Sequence, residues 1–142
     1  MTEEQALRVR DAMIAEPRAL PASATAQEAG EVLTPAEVRA VYVVGDEGEL
    51  LGVVTRKTLV EKVVAAGRDP REVRVGEIAE QPNWTLDPDL PLDEAFALLE
   101  EWDAERVPVV EGGVLVGVLS RSSLQRRLAE DEPPAELDEQ QA

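Results

Sequence analysis

"GVVTRKTL" at residues 52–59 and "GVLSRSSL" at residues 117–124 share one pattern: a glycine, two apolar residues, a hydroxyl, an arginine and, three positions later, a leucine. Each reads as an apolar strand end running into a polar helix start. Working outward in both directions, the likeness continues. At an offset of 66, Val9, Asp11, Leu20, Glu28, Ala29, Leu33, Val41, Val43 and Val44 face Val75, Glu77, Leu86, Glu94, Ala95, Leu99, Val107, Val109 and Val110. One residue is dropped between "GDEGELLG" and "EGGVLVG". The offset is then 65, pairing Gly52, Val53, Thr55, Arg56 and Leu59 with Gly117, Val118, Ser120, Arg121 and Leu124. The chain is two copies of one unit of about 60 residues, a length that buries too little apolar surface to be stable alone.

Each copy carries the same elements. "AVYVV" and "RVPVV" are β-branched runs, each followed by a Gly-rich acidic turn and a second run, which predicts a β-hairpin. Upstream, "TAQEAGEVL" and "PLDEAFALLEEW" have helical apolar spacing. A short extended segment precedes each of these helices, "RALPAS" or "NWTLDPD". A second helix starts near Lys57 or Ser122, the first stopping at Gly67. The predicted unit is β-α-β-β-α, giving an α/β (α+β) fold of two repeats. "TPAE" (34–37) resembles a capped helix start, but its distance from the strand at Val41 makes it a helix end followed by a single turn.

Composition narrows the chemistry. The 142 residues include 44% hydrophobic residues and carry a formal net charge of −16, which repels nucleic acids and anionic lipid surfaces. There is no Cys and no His, removing disulfides, thiol nucleophiles, Cys/His zinc sites and histidine-dependent triads. No apolar run reaches the roughly 18 residues of a membrane span, and the acidic start lacks a secretory n-region, so the expected location is cytoplasmic. "RKT" (56–58) lacks the glycine a P-loop requires before its Lys. "DEGELLG" lacks the alternating oxygen ligands of a calcium loop. The carboxylates fall on helix faces and turns, and neither a catalytic nor a metal site is expected.

The order, spacing and duplication of "VRDAM"/"VGEIA", "RVPVV" and "GVVTRKT"/"GVLSRSS" resemble a tandem pair of cystathionine β-synthase (CBS) domains, or Bateman module, over residues 9–128. The resemblance implies two repeats packed with pseudo-two-fold symmetry. The divisions are 1–67 with an N-terminal helix, 68–128, and 129–142 as a disordered acidic tail that keeps the chain soluble or meets a basic partner. It also implies a non-catalytic regulatory module that requires no cofactor. Such modules bind AMP, ADP, ATP or S-adenosylmethionine in the interdomain cleft, pair into homodimers and act on an effector protein, unidentified here. The alternative is a degenerate ligand-free pair serving as a dimerisation or protein-interaction scaffold.

The family's site pattern is Gly, two apolar residues, Thr/Ser, two variable residues, then Asp/Asn. Residue by residue it places Thr55 and Ser120 as phosphate-side hydroxyls and Thr58 and Ser123 where a ribose-binding Asp is usual. A hydroxyl makes fewer and weaker bonds to a ribose than a carboxylate does, and helix N-capping is the competing role of both residues. Arg56 and Arg121 stand at helix starts, where a cation is disfavoured unless an anion is present; pairing with a nearby acid is the alternative. Lys57 adds charge in the first copy only, so a single phosphate site would belong with Thr55, Arg56 and Lys57. The adenine walls would be Ala19, Leu20 and Tyr42 in one copy and Thr85, Leu86 and Pro108 in the other. Trp84 and Trp102 read as core or dimer contacts.

Overall fold

In the computed structural model, which describes residues 7–15 and 17–130, the chain runs α1 (Val9–Ala12), β1 (Ile14–Ala15), β2 (Ala19–Pro21), α2 (Ala26–Val32), β3 (Val41–Val44), β4 (Leu50–Val54), α3 (Arg56–Leu59), α4 (Val75–Ile78), α5 (Leu92–Trp102), β5 (Arg106–Glu111), β6 (Val114–Ser120) and α6 (Arg121–Glu130). A π-helical turn over Val60–Val64 prolongs α3. One sheet has the order β2-β3-β4 and the other β1-β6-β5. The β-branched runs form the hairpins as their composition dictates. Gly112 and Gly113, both at positive φ (60° and 88°), make the two-residue turn between the paired Glu111 and Val114, a geometry that requires φ > 0 at both central positions. The counterpart of β2 in the second repeat is a single parallel bridge, Leu86 to Val109.

Periodicity did not indicate that the two repeats exchange their leading segments. β1, from the first repeat, pairs antiparallel with β6 of the second through Ile14–Val118 and Ala15–Gly117. Glu80 and Gln81, their equivalents at the 66-residue offset, lie instead along β4 of the first repeat, where Val53 and Glu80 exchange hydrogen bonds of 2.8 and 2.9 Å and the Gln81 side chain donates to Leu51 O. The short helices follow their strands. Val9 N–H donates to Leu90 O at 3.0 Å, and Val75 N–H to Ala24 O at 2.8 Å. Arg8 and Arg74 donate side-chain hydrogen bonds to the equivalent carbonyls of Asp89 and Ser23. At their tips the two hairpins also join, Leu50 N–H to Gly113 O and Leu115 N–H to Gly48 O, each at 3.0 Å.

Each core is therefore mixed. The first gathers Ala26, Ala29, Val41, Val43 and Val54 with Val73, Val75 and Ile78. The second gathers Leu92, Leu99, Val107, Val109 and Leu119 with Val9. Fully burying one such valine or isoleucine stabilises by about 1.5–3 kcal/mol, so each repeat depends on apolar residues lent by the other.

Two glycines make the crossing possible. A Cβ on Gly52 would lie 2.7 Å from Ala79 Cβ and 3.1 Å from Glu80 O. On the equivalent Gly117 it would lie 2.6 Å from Met13 Sδ and 2.9 Å from Ile14 O.

The "TPAE" reading agrees with the structure. α2 ends at Val32, Thr34 Oγ1 donates back to Gly30 O at 3.0 Å, and a turn closes with Val38 N–H on Pro35 O. Of the acidic stretch 129–142, residues 131–142 lie outside the described residues, and Ala129 and Glu130 end α6. Among the described residues, no helix is long and apolar enough to cross a membrane.

Candidate functional site

The two crossing segments border two cavities between the repeats. The larger, of about 650 Å³, lies between Arg39, Tyr42, Val53 and Thr55 of the first repeat and Trp84, Ala104, Arg106, Val107, Pro108 and Ser122 of the second. Its floor includes the strap Glu80–Asn83. The smaller, of about 350 Å³, is its pseudo-symmetric counterpart. It is bordered by the strap residues Ile14, Pro17 and Arg18 and by Glu37, Val38, Val118 and others. Arg39, Ala40, Tyr42 and Arg106 line both, so the two spaces share a wall. Volumes of roughly 300–1,000 Å³ are those of small-molecule sites.

Tyr42, Thr55 and Pro108 are the sequence-predicted residues that line the larger cavity. Leu20 and Leu86 belong to the two cores rather than to an adenine wall. Ala19 and Thr85 are exposed and line neither cavity. Ser123 borders a separate depression with Asp11, Ala12, Arg126 and Arg127.

Arg56 and Arg121 recur for a reason that needs no phosphate. Arg56 donates to Leu33 O at 2.5 Å and to Pro35 O at 2.7 Å, and Arg121 to Leu99 O at 2.9 Å. Leu33, the C-cap of α2, and Leu99, in the last turn of α5, are equivalent positions at helix ends, where the helix leaves acceptors unpaired and a cation complements the dipole. Neither guanidinium borders either cavity. For Arg56 the partners are backbone carbonyls rather than an acid, whereas Arg121 also lies 3.9 Å from Asp103 and from Glu105. Lys57 points outward and pairs with Glu61 at 3.8 Å.

The four hydroxyls are engaged with one another. Thr55 is the N-cap of α3, its Oγ1 accepting from Thr58 N–H at 3.3 Å, while Thr58 Oγ1 accepts from Thr55 N–H at 3.0 Å. Thr58, buried at 1% exposure, is thus the third helical residue of a reciprocal capping box rather than the cap itself. Ser120 and Ser123 repeat this in part, Ser123 N–H donating to Ser120 Oγ at 3.1 Å and the hydroxyls meeting at 2.9 Å.

The charges that do face the cavities are ones the motif reading passed over. Arg39 and Arg106 stand on the shared wall and Arg18 on the smaller cavity. Among the described residues, none of these three side chains makes a hydrogen bond or ion pair. The larger cavity also has Glu80 and Glu105, but Glu80 lies 3.5 Å from Lys62 and Glu105 lies 3.9 Å from Arg121. The smaller sets three arginines against one acid, Glu37. In a chain of charge −16, unpartnered arginines converging from both repeats are a local reversal of the field. Burial raises the Tyr42 phenol above its ordinary value, and Arg106 partly counters that.

Trp84, read from the sequence as a core or dimer contact, is the other residue the cavity adds. Its ring stacks on Trp102 with centroids 4.9 Å apart and planes 5° apart, and it borders the larger cavity. The signal in the sequence is position: Trp84 is the equivalent of Arg18, on the strap two residues before the core leucine.

Comparison with known proteins places these features in context. A CBS domain model matches residues 9–65 and again residues 75–130. Hypoxic response protein 1 of Mycobacterium tuberculosis is 30% identical over 106 residues, 75% of this chain and 74% of that protein. CBS domain-containing protein YhcV of Bacillus subtilis is 28% identical over 116 residues, 82% of this chain and 81% of that one. Among solved structures, Hypoxic Response Protein I with two coordinated zinc ions superposes with a TM-score of 0.72 at 28% identity, covering 89% of this chain and all of that one. CBSX2 in complex with AMP superposes with a TM-score of 0.71 at 25% identity, covering 87% and 96%.

Proposed function

The chain belongs to the CBS domain family, with two copies in tandem, and from that premise we propose that it is a non-catalytic regulatory module whose interdomain cleft takes an adenine nucleotide. The observation that carries this reading is the pair of unpartnered arginines, Arg39 from the first repeat and Arg106 from the second, on the wall shared by two cavities. Phosphates set between them would be held from both repeats at once. Such a ligand favours one relative orientation of the repeats, and shifts the equilibrium by the difference in its affinity for the two orientations. The AMP held by CBSX2, a protein similar over 87% of this chain, supports the ligand class. Thr55 borders the same cavity.

The zinc of Hypoxic Response Protein I does not carry over in the same way. This chain has no Cys or His, and no group of three acids among the described residues could hold a metal ion. For assembly, we place the contact between copies of a homodimer on the helical face that leaves Val60 and Val64 exposed at 55% and 71%. We take the module to be cytoplasmic, acting on an effector protein.

Calorimetric titration with AMP, ADP, ATP and S-adenosylmethionine tests the reading. Saturable binding that weakens at least tenfold in Arg39→Ala and Arg106→Ala is expected, since a hydrogen bond to a charged group contributes about 1.5–3 kcal/mol. The ligand-free scaffold is favoured by Thr58 and Ser123, which stand in place of the usual Asp and bond within the chain. Absence of heat and of any thermal shift with all four compounds would overturn the nucleotide reading and favour the scaffold.

A further inference from the structure

The aromatic side chains of this protein are few, two Trp, one Tyr and one Phe. Three of them gather at one cavity: Trp84 and Tyr42 border it, and Trp102 stands behind Trp84. Trp84 does not fill a core. It remains 37% exposed, while Trp102, at the end of α5, packs against the second core. One face of the Trp84 indole is covered by Trp102 in a near-parallel stack, so the plate is held at a fixed angle by a partner that is itself anchored. Trp84 borders the cavity with the part of its apolar surface that the stack leaves uncovered, and the apolar Ala104, Val107 and Pro108 line the same space.

The two straps differ at this one position in a way that gives the site a direction. Where the larger cavity has Trp84, the smaller has Arg18. From the Trp84 end through Arg39 and Arg106 to Arg18, the lining changes from flat and apolar to cationic. A ligand with a planar aromatic end and an anionic end matches that order in one orientation only.

We propose that Trp84, backed by Trp102, is the stacking surface for the heteroaromatic base of a nucleotide in the larger cavity, with the phosphates directed toward Arg39, Arg106 and Arg18. The inference rests on the nucleotide reading above and adds which end of the cleft recognises the base. Trp102 is a positioning residue, acting through the ring it supports.

The test is calorimetry on the full chain with AMP and with a base-free anion, inorganic tripolyphosphate, comparing the parent protein with Trp84→Leu, Trp84→Phe and Arg106→Ala. Aromatic stacking on a base corresponds to about a 5- to 150-fold change in affinity. Trp84→Leu should therefore weaken AMP by that factor and leave tripolyphosphate unchanged, Trp84→Phe should retain part of the AMP affinity, and Arg106→Ala should weaken both ligands. Indole fluorescence should change on AMP addition in the parent and not in Trp84→Leu. If Trp84→Leu binds AMP as the parent does, Trp84 is no stacking surface and the nucleotide reading survives. Equal loss of AMP and tripolyphosphate would mean that the cavity has collapsed, and overturns the proposal. If the parent binds no adenine nucleotide, the proposal and the reading beneath it both fail.

Discussion

Replacing Gly52 with alanine tests the exchange of segments between repeats. Gly52 has no positive φ to require glycine, so strand propensity alone predicts that Gly52→Ala stabilises by about 0.5–1 kcal/mol. The structure predicts the reverse. The new methyl would stand 2.7 Å from Ala79 Cβ and 3.1 Å from the Glu80 carbonyl oxygen, and Glu80 is the residue whose two backbone hydrogen bonds tie the strap to Val53. Forcing a methylene into a packed site costs about 1–3 kcal/mol, and losing either strap hydrogen bond adds about 1 kcal/mol. We expect a net loss of about 2–3 kcal/mol in urea unfolding at 25 °C, or roughly 6–10 °C in Tm for a chain of this size. Adding Ala79→Gly removes the nearer of the two obstacles, so the double variant should recover part of the loss, with a coupling energy above about 0.5 kcal/mol. Neutral or stabilising behaviour of Gly52→Ala, or strict additivity with Ala79→Gly, would refute the crossing at β4.

Four further outcomes follow from other sites. Gly117→Ala should also destabilise in the same unfolding assay, because the Met13 thioether can swing aside but the Ile14 carbonyl oxygen, 2.9 Å from the new methyl, belongs to the paired backbone of β1. Thr58→Ala, which leaves the Thr55 N–H without its acceptor, should destabilise by about 1–2 kcal/mol. Tyr42 is the single tyrosine, so absorbance at alkaline pH reports its ionisation directly. Its phenol is held above the ordinary range by burial and is pulled down by Arg106. Arg106→Ala should therefore raise it further, and the stability linked to it, present below the unfolded value near 10, should be lost as pH rises through the folded one. Glu77 is held below the ordinary carboxylate range, first by the Arg68 side-chain hydrogen bond and then by the Arg74 backbone N–H. The stability linked to it is present above the unfolded value and lost as pH falls through the folded one, and Arg68→Ala should raise the Glu77 midpoint measured by NMR.

The repeat, its hairpins and its helices were legible because each rests on local pattern: β-branched runs, glycine turns and apolar spacing recur at a fixed offset. The exchange was not, because the two repeats are alike. Ile14 and Glu80 could each pair within their own repeat or across it, and periodicity carries no term for which sheet accepts a strand. Arg56 and Arg121 misled for a related reason. A recurring cation at a helix start suggested an anion, whereas the partners are carbonyls of a helix end about twenty residues upstream, a proximity set only by tertiary packing. Arg39 belongs to no motif and Arg106 entered only as the first letter of the strand run "RVPVV"; both became candidates through the lack of partners in an acidic chain. The difference between the cavities follows from single positions, Tyr42 against Pro108 and Arg18 against Trp84, where the copies diverge.

The mixed cores also bear on how the chain is made. During synthesis the first repeat is complete as a sequence once α3 has emerged, yet its core still lacks Val73, Val75 and Ile78. Residues 7–15, which precede both sheets in the chain, have no sheet to join until β6 exists, about a hundred positions later. Contacts this distant in sequence close slowly, and no stable half-product is expected on the ribosome. The module should appear in one cooperative step after translation has passed Ser120, and a chain truncated before that point should be a substrate for proteases rather than a smaller folded domain.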